Sequence, residues 1–135
     1  MRENMGLFRG KRADNCEWVE GGFVKKTDPL IEITYCLILV YGKKASFVTW
    51  YPVDHSTVGE CTGLKDKNGK LIFEGDIVKG SNIMHSNRKI YQVAFDDGAF
   101  CLFDCKGVGW HHSHIDNKEV IGNIHDNDLG DFDGY

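Results

Sequence analysis

Apolar positions along the chain fall in short stretches that are β-branched or aromatic and bounded by Gly, Asn and Asp. No segment carries the three-to-four-residue spacing of an extended amphipathic helix. The pattern predicts strands from Gly22 to Lys26, Ile31 to Tyr41, Ser46 to Tyr51, Asp76 to Lys79, Lys89 to Phe95, Ala99 to Phe103 and Glu119 to Ile124. Three turn signals separate them. Gly42 within Tyr41-Gly42-Lys43-Lys44-Ala45 can take the positive φ of a hairpin turn, Asn68-Gly69 is the strongest short hairpin signal, and Asp96-Asp97-Gly98 offers a third. Asp14 to Glu20 or the region after Pro29 could hold a short helix, but neither shows an extended apolar stripe. The fold class is therefore mainly β, at most a β-rich α+β arrangement. It divides into two small packed parts, residues 1–57 and 58–126, followed by an acidic tail at 127–135. Each part is marginal alone at about 60 residues, so the two are expected to share an interface.

Composition narrows the class without naming a chemistry. Of 135 residues, 41% are hydrophobic, 12% aromatic and only two are proline, which fits a folded chain rather than a disordered one. The longest apolar run, Cys36 to Tyr41, falls far short of the ~18 residues that would suggest a membrane span. No apolar leader follows Met1-Arg2-Glu3-Asn4. Five cysteines, an odd number, point to reduced thiols and a cytoplasmic setting.

The net charge of −4 is uneven. Up to Ile115 there are 15 basic and 14 acidic residues; from Asp116 onward there is one basic residue against six acidic. A near-neutral body gives no broad electrostatic case for a polyanion partner.

Four constellations could carry chemistry. Cys101, Cys105, His111, His112 and His114 offer thiolate and imidazole donors of the kind zinc accepts, but the strand alternation places both cysteines inward and leaves an exposed His-rich loop. Trp110-His111-His112 is also a candidate partner contact, Trp110 and His112 in particular, because loops on a rigid β scaffold often carry function. Arg9, Lys11 and Arg12 could contact phosphates, although a basic first strand paired with acidic neighbours is the more ordinary reading. Asp126, Asp128, Gly130, Asp131 and Asp133 begin like a calcium loop but lack its bidentate Glu, which suits a solvated tail. No Gly-x-Ser-x-Gly elbow, phosphate-binding loop or His-Glu-x-x-His motif occurs.

The run Cys61-Thr62-Gly63-Leu64-Lys65-Asp66-Lys67-Asn68-Gly69-Lys70-Leu71-Ile72-Phe73-Glu74-Gly75-Asp76-Ile77-Val78 resembles the signature of the YopX family of phage and prophage proteins. Three further blocks are similar in order: Phe8 to Arg12 with Glu17-Trp18-Val19, then Phe95 to Phe100, then Val120 to Asn127. The chain departs from the family pattern after Asn127, where Asp128-Leu129-Gly130 replaces Pro-Glu-Leu. The resemblance implies a mostly β protein of a phage or prophage, its second part an SH3-like β-barrel, with no assigned activity, cofactor or catalytic residue. The expected function is a non-enzymatic interaction module in the cytoplasm of a bacterial host, with an unknown protein partner, a homo-oligomer by its strand edges, and no membrane. The alternatives are a nucleic-acid-binding accessory protein and a metal-dependent enzyme. The signature's Gly, Asn and Asp residues are expected to build turns.

Overall fold

The computed structural model describes residues 6–41, 48–84, 88–96, 98–128 and 132. It is mainly β, and its chain separates into two compact units, Asn4–Cys61 and Thr62–Tyr135.

The first unit is antiparallel. Strands β1 (Phe8–Lys11), β2 (Trp18–Asp28), β3 (Ile33–Tyr41), β4 (Val48–Pro52) and the start of β5 (Gly59–Lys65) lie in the order β4-β3-β2-β1-β5. The expected strands at Gly22 and Ile31 are thus extended and re-bounded, and Asp14 to Glu20 holds no helix but a turn that leads directly into β2. The segment after Pro29 is likewise a turn, closed by Glu32 at φ 54°. Among the described residues, helix is confined to single 3₁₀ turns at His55–Thr57 and His112–His114. Residues 42–47, which include the expected Gly42 turn, lie outside the described residues, but the strands flanking it pair antiparallel, with Leu39 opposite Trp50 and Ile38 opposite Tyr51.

One face of this sheet is covered. Ile38 is fully buried, Phe8 packs 5.5 Å from Phe23, and the Phe23 ring stacks on His55 at 6.4 Å. Gly21 is required on that side, because a Cβ there would lie 1.8 Å from the Leu39 carbonyl oxygen.

In the second unit, the end of β5 is followed by β6 (Leu71–Phe73), β7 (Asp76–Asn82), β8 (Arg88–Asp96), β9 (Ala99–Phe103), β10 (Gly109–His111) and β11 (Ile115–Asn123). Strands β7 to β10 form a meander and β11 returns beside β7, giving an open antiparallel sheet in the order β10-β9-β8-β7-β11. Its core is Ile72, Val78, Tyr91, Val93, Leu102 and Ile115, with Leu64, Trp110 and Val120 packed at the margin. Strand β11 bends through two register shifts, one at Asn117, whose φ is 53°.

The signature residues build the joint of this unit. Thr62 Oγ1 donates to the Ile72 carbonyl at 2.8 Å and accepts the Leu64 N–H at 3.1 Å. Asp66 Oδ1 accepts the N–H groups of Asn68 and Lys70, and Gly69 at φ 82° completes the turn read from the sequence. Asp76 Oδ2 accepts the Phe73 N–H at 2.8 Å, closing the β6–β7 turn over Gly75 at φ 91°. These positions carry positive φ or buried carboxylates because the turns demand them.

Candidate functional site

Cys101 stands opposite His111 across β9 and β10, while Cys105 lies exposed in the turn beyond β9. The expectation of two inward cysteines is corrected: Cys101 is half-buried and Cys105 faces solvent. Two features redirect them. The β8–β9 register pairs Phe95 with Phe100 and Val93 with Leu102, so Cys101 lies on the face opposite the buried Phe100 and Leu102, and β9 ends at Phe103, before Cys105. Among the described residues no group of three or more His, Cys, Asp or Glu side chains is gathered to hold a metal ion.

Trp110 is largely a structural residue. It packs on the core cluster beside Leu102, and its indole N–H donates to Asp104 Oδ2 at 3.3 Å. Asp104 Oδ1 also accepts the N–H groups of Lys106 and Val108, which closes the β9–β10 turn. Burial raises the Asp104 carboxyl, but the three N–H donors outweigh it and hold its pKa below the ordinary value.

The histidines are fixed to different degrees. His111 Nδ1 accepts the Ser113 N–H at 3.2 Å and lies 2.7 Å from the Ser113 hydroxyl, so the neutral ring carries its proton on Nε2. Its ring centroid is 4.2 Å from that of His112. His114 turns toward Trp110 at 6.0 Å. Lys118 locks this turn from behind, its Nζ donating to the carbonyls of Ile115 at 2.8 Å and His112 at 3.1 Å. Burial lowers the Lys118 pKa.

What this edge forms is a groove. Phe95, Gly98, Ala99, Phe100, His111 and His112 line a depression of about 290 Å³, where β8 and β10 end beside the start of β9. Phe95 and Phe100 meet edge to face at 5.2 Å. Phe100 is buried, whereas Phe95 is 52% exposed. Strand β10 is the outermost strand of the sheet and only three residues long. His112 stands out in the sequence but Phe95 does not, because 17 positions of chain separate them and only the β8–β9–β10 register brings them together. The exposed aromatic next to a turn was the available signal.

The basic cluster lies in the first unit and is occupied by aromatic and acidic neighbours. The Arg9 guanidinium sits 4.8 Å over Trp18, and Lys11 Nζ approaches the same ring at 5.5 Å. Arg9 stands opposite Glu20 across β1 and β2. Arg12 lies 4.6 Å over Tyr51 and grips Asp14 through two hydrogen bonds of 2.6 and 3.0 Å. That grip lowers the Asp14 pKa and raises that of Arg12. Of the calcium-loop-like run, Asp126 Oδ2 accepts from the Asn123 side chain, while Gly130, Asp131 and Asp133 lie outside the described residues.

The family model for the YopX protein matches residues 7–129. The chain belongs to the YopX family. Two solved structures share the fold of this YopX chain. One is protein EF1440 from Enterococcus faecalis, at 26% identity and TM-score 0.52, covering 89% of this chain and 93% of that one. The other is protein yopX from Bacillus subtilis, at 19% identity and TM-score 0.52, covering 94% and 96%. No curated protein matches the sequence. Among the described residues of the YopX chain, no helix is long and apolar enough to cross a membrane.

Proposed function

We propose that this chain is a phage- or prophage-encoded, non-enzymatic interaction module of the bacterial cytoplasm that captures a segment of a protein partner at the β10 edge. The observation that carries this reading is the half-exposed Phe95 beside His111 and His112 in a groove at the open end of the sheet. An extended peptide adds main-chain hydrogen bonds at a strand edge and seats a side chain in an adjacent pocket. Phe95 and Phe100 supply the apolar floor, and His111 and His112 line its polar side. The SH3-like barrel belongs to the same reading, supported by the β7–β10 meander and the bent return of β11. No cofactor is needed for it.

Two alternatives have less support. Nucleic-acid binding through Arg9, Lys11 and Arg12 would draw on cations already engaged with Trp18, Tyr51 and Asp14. A metal-dependent enzyme would need ligands that the described residues do not gather.

Selection of displayed random peptides on the purified protein, counter-selected on the Phe95→Ala variant, tests the reading. It predicts enriched sequences that share an apolar or aromatic anchor and bind the variant at least ~10-fold weaker, a loss of about 1.4 kcal/mol. Absence of enrichment, or equal binding to the variant, contradicts it. Binding of single- or double-stranded nucleic acid that falls steeply with salt would support the first alternative instead.

A further inference from the structure

On the face of the first sheet opposite Phe23 and Ile38, the part carried by the middle of β2 and by β3 and β4 is mostly apolar and exposed, flanked on β2 by Glu20 and Lys26. Strand alternation places Val24 on β2, Ile33 and Tyr35 on β3, and Val48 and Trp50 on β4 on this one side, each between 37% and 49% exposed. Leu37 and Leu39 lie between them, half-buried. A sheet with one covered face and one bare apolar face is half of a two-layer sandwich.

The relief of the face is informative. Trp50 and Gly22 are the two register partners of Leu39, so the largest side chain and a missing one sit at the same level on either side of β3. Gly22 has no internal reason to be glycine. A Cβ there would meet nothing closer than Leu39 Cβ at 3.9 Å, and its backbone does not adopt positive φ, in contrast to the obligatory Gly21 next to it. A glycine inside a strand weakens it, and where nothing in the same chain requires the space it marks a close approach from outside.

We propose that this face pairs with the same face of a second copy of the chain. A two-fold axis running along β3 lays β4 of each copy over β2 of the other and seats each Trp50 in the notch above the other's Gly22, a self-complementary, closed arrangement. The area is sufficient. With Tyr35 and Trp50 at about 150–250 Å² each when fully buried, nearly half exposed, and the aliphatic neighbours added, the patch is on the order of 400 Å² or more per copy, the size at which exposed apolar surface marks an interaction site. Including the half-buried leucines and the Lys26 stem, the pair buries roughly 1,000–1,200 Å², the lower bound of a specific interface. This surface belongs to the first unit and does not depend on the groove at Phe95.

Sedimentation equilibrium of the full chain over a concentration series tests the proposal. The wild type is expected to dimerise reversibly. Gly22→Val, which fills the notch with a good strand former, and Trp50→Ser, which removes the knob, should each weaken the dimer at least tenfold while leaving the circular dichroism spectrum unchanged and the monomer as heat-stable as before. Phe95→Ala should dimerise like the wild type, so that failure here and failure of the peptide-capture reading are separable. A wild-type monomer at every concentration, or an assembly that both variants leave intact, overturns the proposal.

Discussion

Asp66 Oδ2 accepts the backbone N–H of Val120 at 3.0 Å, so one carboxylate joins the Asn68-Gly69 turn to strand β11 across 54 positions of chain. Burial pushes this carboxyl up, but the N–H groups of Val120, Lys70 and Asn68 outweigh it and its pKa is lowered below 3.8. A group with a depressed folded-state pKa contributes stability that is fully present above its unfolded value and lost as pH falls through the folded one. The contribution of Asp66 should therefore persist at pH 5 and fade below pH 3.8. Asp66→Ala, which strands buried donors, should cost at least about 1–3 kcal/mol at neutral pH. Denaturant titrations from pH 7 to pH 3 should show the gap between wild type and variant closing at the acid end.

The two adjacent glycines of β2 should separate cleanly. Gly21→Ala forces a Cβ into the Leu39 carbonyl and should destabilise by about 1–3 kcal/mol or more. Gly22→Ala meets open space and should be neutral or stabilise the monomer by up to ~1 kcal/mol. Thermal unfolding of dilute protein, below the dimer's dissociation constant, reads both.

Trp110 and His112 adjoin in sequence but differ in role. Trp110→Ala removes an indole packed against the core and should cost about 3–5 kcal/mol. His112→Ala should stay within roughly 0.5–1 kcal/mol of wild type, as for most surface changes. Urea unfolding midpoints of the two variants distinguish them.

Lys118→Met removes the ammonium donor from the His112 and Ile115 carbonyls, the former keeping the Ile115 N–H, and should cost ~0.5–1.5 kcal/mol, with NMR shift changes concentrated at His111 to Ile115. The Lys118 pKa is lowered by burial, so the unfolded chain holds this proton to higher pH than the native one. The wild type should therefore gain stability relative to Lys118→Met as pH rises toward 10.5.

Much of the fold was legible because it is local. Ala99 to Phe103 forms a strand with the boundaries its apolar run suggested, and Asn68-Gly69 turns where its dipeptide predicts. Strands β5, β6 and β10 were not legible: Gly59–Lys65 is mostly small and polar, while Leu71–Phe73 and Gly109–His111 are three residues long and exist only through their neighbours. No helix forms near Asp14, because Arg12 and Asp14 bind each other and Asn15 caps Glu17, which closes a turn instead. The groove was half legible. His112 stood out by composition, but its meeting with Phe95 depends on register, which no single strand encodes.

The central claim is that the Phe95 edge holds a protein partner. A photoreactive amino acid placed at position 95 and irradiated in cells of the native bacterial host tests it most directly, with the same residue at the exposed Lys67 as control. The account predicts a discrete polypeptide adduct from position 95, diminished by His112→Ala and absent from position 67. Equal labelling from both positions, or adducts to nucleic acid alone, would contradict it.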